Sequence, residues 1–199
     1  MSAAEPREAA TVILLRGERP FQVLMVERNP ATRAAGAVWV FPGGGVEDAD
    51  GSGEGRLQAA AVRELAEEAS ITGVAPETLI PFGRWIAPVS LPVRFDTHFF
   101  LARAPEGQEP HPDGVECIDA GWFTIEQMLS DERAGRFPLL APTRRNLECL
   151  QELEYDSIEP LLEAAGAATV EAVRPRLRHP GDPGLALCPG EPGYDTATG

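Results

Sequence analysis

A chain of 199 residues with ordinary apolar content suits one domain with its own core and a short extension. Its net charge of −14 argues against nucleic acid or anionic membrane as partners, since both select basic surfaces. Cys117, Cys149 and Cys188 are scattered and odd in number, which argues against a disulfide framework or a zinc site and suits a reduced, cytoplasmic setting.

Ala10–Leu15 and Phe21–Val26 read as two strands of a hairpin, with turn residues Arg16–Pro20 between them. A loop from Asn29 to Gly36 leads to a short strand, Val38–Phe41, and then to the Gly-rich turn Phe41-Pro42-Gly43-Gly44. Gly51-Ser52-Gly53-Glu54-Gly55 has loop composition. The next helix is expected over about Leu57–Ala69. On it Val62, Leu65, Ala66 and Ala69 follow the i, i+3, i+4, i+7 rule, while Glu64, Glu67 and Glu68 fall together on the other side. The expected picture is one buried face and one acidic face. Such a face is either solvated or relieved of its like-charge repulsion by a divalent cation, and hard oxygen donors are what Mg²⁺ selects.

Gly83–Pro88 and Arg94–Leu101 read as two further strands, and Ala104–Gly114 as a loop. Glu116–Phe123 reads as another strand. Thr124 is an N-cap three residues ahead of Gln127, opening a helix. Helices over Thr143–Leu153 and Ile158–Ala165 follow. Val170–Leu177 has strand character, and Pro and Gly dominate from His179 onward. Strands alternating with helices around a mixed sheet make an α/β layered domain. The division expected is a domain over 6–166 and a Pro/Gly-rich, partly flexible extension over 167–199.

Gly44, five residues, Asp50, and then Arg63-Glu64-Leu65-Ala66-Glu67-Glu68-Ala69-Ser70-Ile71 resemble the Nudix box, G-x5-E-x7-R-E-U-x-E-E-x-G-U with U aliphatic. There are three departures. Asp50 stands where the early glutamate belongs, twelve residues rather than seven separate it from Arg63, and Ser70 replaces the closing glycine. The extra residues fall in the Gly-rich loop, where lengthening costs little. Ser70 would have to take a left-handed C-cap conformation, at about 1 kcal/mol relative to glycine. Asp50, Glu47 and Glu54 are alternatives for the early acid.

The resemblance implies a Nudix fold, with a mixed β-sheet sandwiched between α-helices. It also implies hydrolysis of a nucleoside diphosphate linked to another moiety, with Mg²⁺ or Mn²⁺ as cofactor. By motif position, Glu64, Glu67, Glu68 and the backbone carbonyl of Gly43 are the implied metal ligands. Arg63 is expected to orient a glutamate through a charge-assisted bond. The candidate catalytic residues are Glu64, Glu67 and a general base from another segment, Glu116, with Asp119 as its rival.

Arg28-Asn29-Pro30-Ala31-Thr32-Arg33, followed by Phe41-Pro42-Gly43-Gly44, looks like the signature of coenzyme A diphosphatases. Asn29 stands at its serine position, and Ala37 at a glycine position. The 94–100 and 142–147 segments and Leu187–Tyr194 are similar to the peroxisomal-type branch of that group. Coenzyme A or its thioesters, cleaved to 3′,5′-ADP and 4′-phosphopantetheine products, is therefore the expected substrate. ADP-ribose, NADH and dinucleoside polyphosphates are rivals. A non-catalytic nucleotide-binding sensor is the alternative of another class, and the presence of all three glutamates lowers it. Arg28, Arg33, Arg84 and Arg94 are candidates for phosphate recognition, because guanidinium forks match phosphate oxygens. Arg84 and Arg94 could equally pair with Asp96. Trp85 and Phe95 are either stacking platforms or core. The C-terminal helices could serve a homodimer contact.

Overall fold

The run Arg7–Arg16 forms β1, and its alternation decides the layering: Ala10, Val12 and Leu14 face one side of the sheet, Ile13 and Leu15 the other. All five are fully buried, as expected of a central strand covered on both faces. The computed structural model describes residues 4–31, 37–177 and 186–197. Arg33, one of the four arginines singled out for phosphate, and His179 lie outside those residues.

The main sheet is built from β1, β2 (Gln22–Arg28), β3 (Trp39–Val40), β4 (Gly43–Gly45), β5 (Ile80–Ile86), β6 (Phe95–Arg103), β7 (Cys117–Thr124) and β8 (Ala172–Val173). It is mixed. β1 runs parallel to β6 along its length, and β5 runs parallel to β8, while the other pairings are antiparallel. The helices are α1 (Arg56–Ala69), α2 (Ile125–Arg133), α3 (Ala141–Glu152) and α4 (Ile158–Ala167). α1 packs on the face of Val12 and Leu14, and α2, α3 and α4 cover the opposite face. The expected sandwich is the observed one.

One detail of the sheet positions the site. β1 and β2 pair only at Leu15↔Val23 and Arg16↔Gln22, and then part. β4 fills the freed edge of β1 at Ala9–Thr11, and β3 fills that of β2 at Val26–Glu27. The Gly-rich turn therefore runs through the opening between two central strands, beside Arg28 at the end of β2.

Most element ends fall within a few residues of those expected. Thr124 caps α2, its hydroxyl oxygen accepting from the Gln127 N–H at 3.2 Å. Ser70 does take the left-handed conformation, with φ of 57°. Its hydroxyl donates to the His111 carbonyl at 3.0 Å, a partner that glycine could not engage. In the C-terminal segment, β8 joins the main sheet, and β9 (Arg176–Leu177) pairs with β10 (Ala186–Leu187).

The face assignment on α1 needs correcting. Glu64 and Glu68 are buried alongside Leu65 and Ala69, whereas Val62 and Ala66 are only partly covered and Glu67 is exposed. The i, i+4 pair of acids does not face water. The reason is tertiary: α1 lies against the Gly43–Gly45 strand, whose missing side chains leave room for two carboxylates beneath the backbone.

Candidate active site

The Gly-rich turn and the acids of α1 are fitted to each other. Glu68 Oε2 accepts the Gly43 N–H at 3.0 Å. A Cβ on Gly44 would stand 2.2 Å from Glu64 Oε1, so only glycine permits that approach. Burial pushes the Glu68 carboxyl up to about 7, against the pull of Arg28 and the Gly43 N–H. Burial raises Glu64 as well, opposed by Arg63.

Arg63 anchors the outer side of this group. Its Nε and Nη2 donate to the two Asp50 oxygens at 2.9 and 3.1 Å, and Nη2 also donates to the Gly45 carbonyl at 3.0 Å. Its Nη1 reaches Glu64 at 3.0 Å and Glu67 at 2.9 Å. Of Asp50, Glu47 and Glu54, it is Asp50 that meets the motif arginine. The Gly-rich insertion carries the chain away and back without disturbing that contact. The Arg63 bonds hold the Asp50 carboxyl below its ordinary range.

Arg28 anchors the inner side. Only 7% of it is exposed, and its guanidinium touches groups from three parts of the chain. Nη2 donates to the Gly43 carbonyl, and Nη1 lies against Glu68 Oε1 and 3.4 Å from Glu116 Oε2. Glu116 is held in place by its neighbours. Asp113 accepts from the Glu116 and Cys117 N–H groups at 3.0 and 2.7 Å, and the Asn29 N–H donates to the Glu116 carbonyl at 2.8 Å. The rival acid, Asp119, lies on β7 opposite Glu27.

The remaining arginines are engaged elsewhere. Arg84 pairs with Asp96 through two bonds, at 2.8 and 2.6 Å. Arg94 donates to the backbone carbonyls of Ala87 and Ala4 at 3.0 and 2.7 Å. Trp85 belongs to the core. Phe95 instead lines a cavity of about 210 Å³ with Phe41, Phe99 and Leu140, and this cavity opens on Arg28 and Gly43–Gly45. The cavity, the Asp113 turn and the Arg28 clamp were not foreseen from the sequence. Asp113-Gly114, closing the expected 104–114 loop, is the local signal that marked a turn there.

Among the described residues, no three acidic, histidine or cysteine side chains already converge in a group that could hold an ion. Glu67 is turned away toward Arg63 and solvent. The donors nevertheless suit a hard dication. Two buried carboxylates and the Gly43 carbonyl share one region, and Glu68 Oε1 and the Gly43 carbonyl are both turned toward a cation there, the Arg28 guanidinium. Five carboxylates (Asp50, Glu64, Glu67, Glu68, Glu116) surround two guanidiniums, which leaves the site electronegative.

The NUDIX domain family matches residues 5–142. A curated relative from Caenorhabditis elegans, named as a nudix hydrolase 7, is 24% identical over 184 residues, covering 74% of this chain; the match spans 61% of the relative's own length. The NUDIX hydrolase of Alicyclobacillus acidocaldarius superposes with a TM-score of 0.70 at 25% identity, over 81% of this chain and 97% of that one. The NUDIX domain of Shewanella oneidensis NrtR, solved with ADP ribose, shares the fold with a TM-score of 0.58 at 16% identity, over 75% and 88% of the two chains.

Proposed function

We propose, from the premise that this chain belongs to the Nudix family, that it is a Mg²⁺- or Mn²⁺-dependent hydrolase. It cleaves the pyrophosphate of a nucleoside diphosphate linked to another moiety. The observation that carries this reading is the pair of carboxylates, Glu64 and Glu68, buried side by side against the bare backbone of Gly43–Gly44, with the Arg28 guanidinium on Glu68. Burying two acids beside each other is unfavourable for stability alone; Arg63 and Arg28 offset it only in part, since both carboxyls stay raised, and a hard cation is the partner that balances the pair.

In this reading Glu64, Glu68 and the Gly43 carbonyl hold the ion, and Glu67 joins them by leaving Arg63. A dication there supplies Lewis acidity, neutralising diphosphate charge and acidifying nearby water. Arg63, fixed by Asp50, keeps Glu64 aimed at the turn. Glu116, 3.4 Å from Arg28, takes the proton of the attacking water as general base. The apolar cavity excludes bulk water and receives one uncharged end of the substrate.

Coenzyme A or an acyl-coenzyme A is the substrate proposed, on the pattern from Arg28 to Gly44. Phosphate recognition then falls to Arg28 and Arg33. A second reading, ADP-ribose, draws on one observation: Arg84 and Arg94 are committed to Asp96 and to backbone, so neither is free for a 3′-phosphate. A panel of coenzyme A, ADP-ribose, NADH and dinucleoside tetraphosphate with Mg²⁺ and Mn²⁺, read by product mass, decides between them. Formation of 3′,5′-ADP from coenzyme A is the expected result. Turnover of ADP-ribose alone would remove the coenzyme A assignment, and turnover of none would remove the enzyme.

Asp50→Ala is expected to weaken Mn²⁺ binding about 10- to 100-fold, the usual effect of losing a group that orients a ligand. Arg63 would lose its two-point anchor and be free to follow Glu67. Mn²⁺ titration checks this, and unchanged affinity would show that Arg63 holds its position without Asp50.

A further inference from the structure

Arg28 is placed where a substrate-binding arginine and an ion compete for the same oxygens. Its two terminal nitrogens contact Glu68 Oε1 and the Gly43 carbonyl, both assigned above as ion ligands, and one of them also approaches Glu116. The side chain is almost wholly buried, as is Glu68. A guanidinium and a dication cannot both sit on one buried carboxylate without strong mutual repulsion, because the low-polarity surroundings screen little of it. While Glu68 is ionised and the site is without its ion, departure of Arg28 would leave a buried charge with no compensating cation, which is costly. One cation must replace the other.

The displaced guanidinium has a destination. Arg28 and Gly43–Gly45 all line the apolar cavity that takes the uncharged end of the substrate, so the diphosphate next to that end would lie within reach of Arg28. Two parallel N–H donors match two phosphoryl oxygens as well as they match a carboxylate. Arg63 contrasts with it. That guanidinium is held by both Asp50 oxygens and the Gly45 carbonyl, none of them assigned to the ion, so ion binding at Glu64 leaves it anchored.

We propose that Arg28 is an internal counter-cation that occupies the ion's ligands in the ion-free protein and is handed over to the substrate diphosphate when the ion binds. This rests on the reading of Glu68 and the Gly43 carbonyl as ion ligands. It makes Arg28 a residue that couples ion loading to phosphate capture. The ion releases the arginine for the substrate, and a bound phosphate that holds the arginine favours the ion, as linkage requires.

The test is the affinity of the full chain for Mn²⁺ alone, by electron paramagnetic resonance, at alkaline pH where the carboxylates are ionised. Arg28→Gln is expected to bind Mn²⁺ more tightly than the unaltered chain, by about fivefold or more, because its competitor is gone. Arg28→Lys, which keeps the charge but lacks the fork, is expected to fall between them, and it serves if Arg28→Gln fails to fold. Unchanged or weaker binding in the variants would overturn the proposal and leave Arg28 as a group that merely holds the ligands. A crystal of the unaltered chain with Mn²⁺ and α,β-methylene-ADP gives an independent reading. Arg28 should then lie on phosphate oxygens, and an Arg28 still on Glu68 beside a bound ion would also overturn it. Glu68→Gln separates the two levels: if that variant binds Mn²⁺ as tightly as the unaltered chain, the ion lies elsewhere and the reading of the site itself fails.

Discussion

Glu68→Gln is expected to lower turnover by about a hundred- to a thousandfold, the scale on which one preorganised charge stabilises a transition state in a water-poor site. The volume is unchanged and the amide oxygen can still accept the Gly43 N–H, but the amide NH2 then faces Arg28, so the melt of the variant is read beside its activity. Near-full activity with Mg²⁺ would remove Glu68 from the site. The same substitution has a signature in stability without metal. Glu68 keeps its proton to about 7 in the folded chain, whereas the unfolded chain releases it near 4.5. Unfolding therefore releases a proton between those values, and stability falls as pH rises through that window, by about 3 kcal/mol from this group. Glu64, raised in the same direction, adds to the slope. In EDTA the melting temperature should fall from pH 4.5 toward 7 and then level off. Glu68→Gln should flatten most of that decline, and an equally steep decline in the variant would show that Glu68 is not the group responsible.

Gly43→Ala is expected to destabilise the fold by about 3 kcal/mol, at the upper end of overpacking effects. Its Cβ would lie 2.5 Å from the Ala10 carbonyl oxygen and 2.6 Å from Thr11 Cα, backbone of the adjacent central strand that has nowhere to go. Gly44→Ala is the instructive contrast. The three atoms nearest its Cβ all belong to the Glu64 carboxylate, the end of a side chain that can swing aside. That variant should melt close to the unaltered chain while losing most of its turnover, because the displaced carboxylate is an ion ligand. Thermal melts and activity measured side by side check the pair. Equal melting losses, or an active Gly44→Ala, would mean that Glu64 is not held against the turn as described.

Much of this was legible in the linear pattern, for reasons that are local. The apolar run Val12–Leu15, followed by the turn residues Arg16–Pro20, read as a strand, Thr124 ahead of Gln127 read as a helix start, and Arg63-Glu64-Leu65-Ala66-Glu67-Glu68 showed which side chains a single helix would bring together. The Nudix resemblance, carried by those residues and by Gly43–Gly44, named the fold that the NUDIX match over 5–142 then established.

The periodicity of α1 failed in one respect. It sorted residues by hydrophobicity and set Glu64 and Glu68 on the side opposite the buried one, whereas they are themselves buried. A hydrophobic pattern records which side chains water rejects; it does not register a glycine strand that leaves space for a carboxylate. Likewise, nothing in the composition around Arg28 or Arg84 tells a free guanidinium from one engaged by Glu68 or Asp96, because those partners lie 40 and 12 positions away along the chain. Residue types and spacing determined that acids, glycines and arginines would be available and on which elements. Only the parting of β1 from β2, and the close seat it gives α1 against bare backbone, decided which oxygens are buried and which cation holds them.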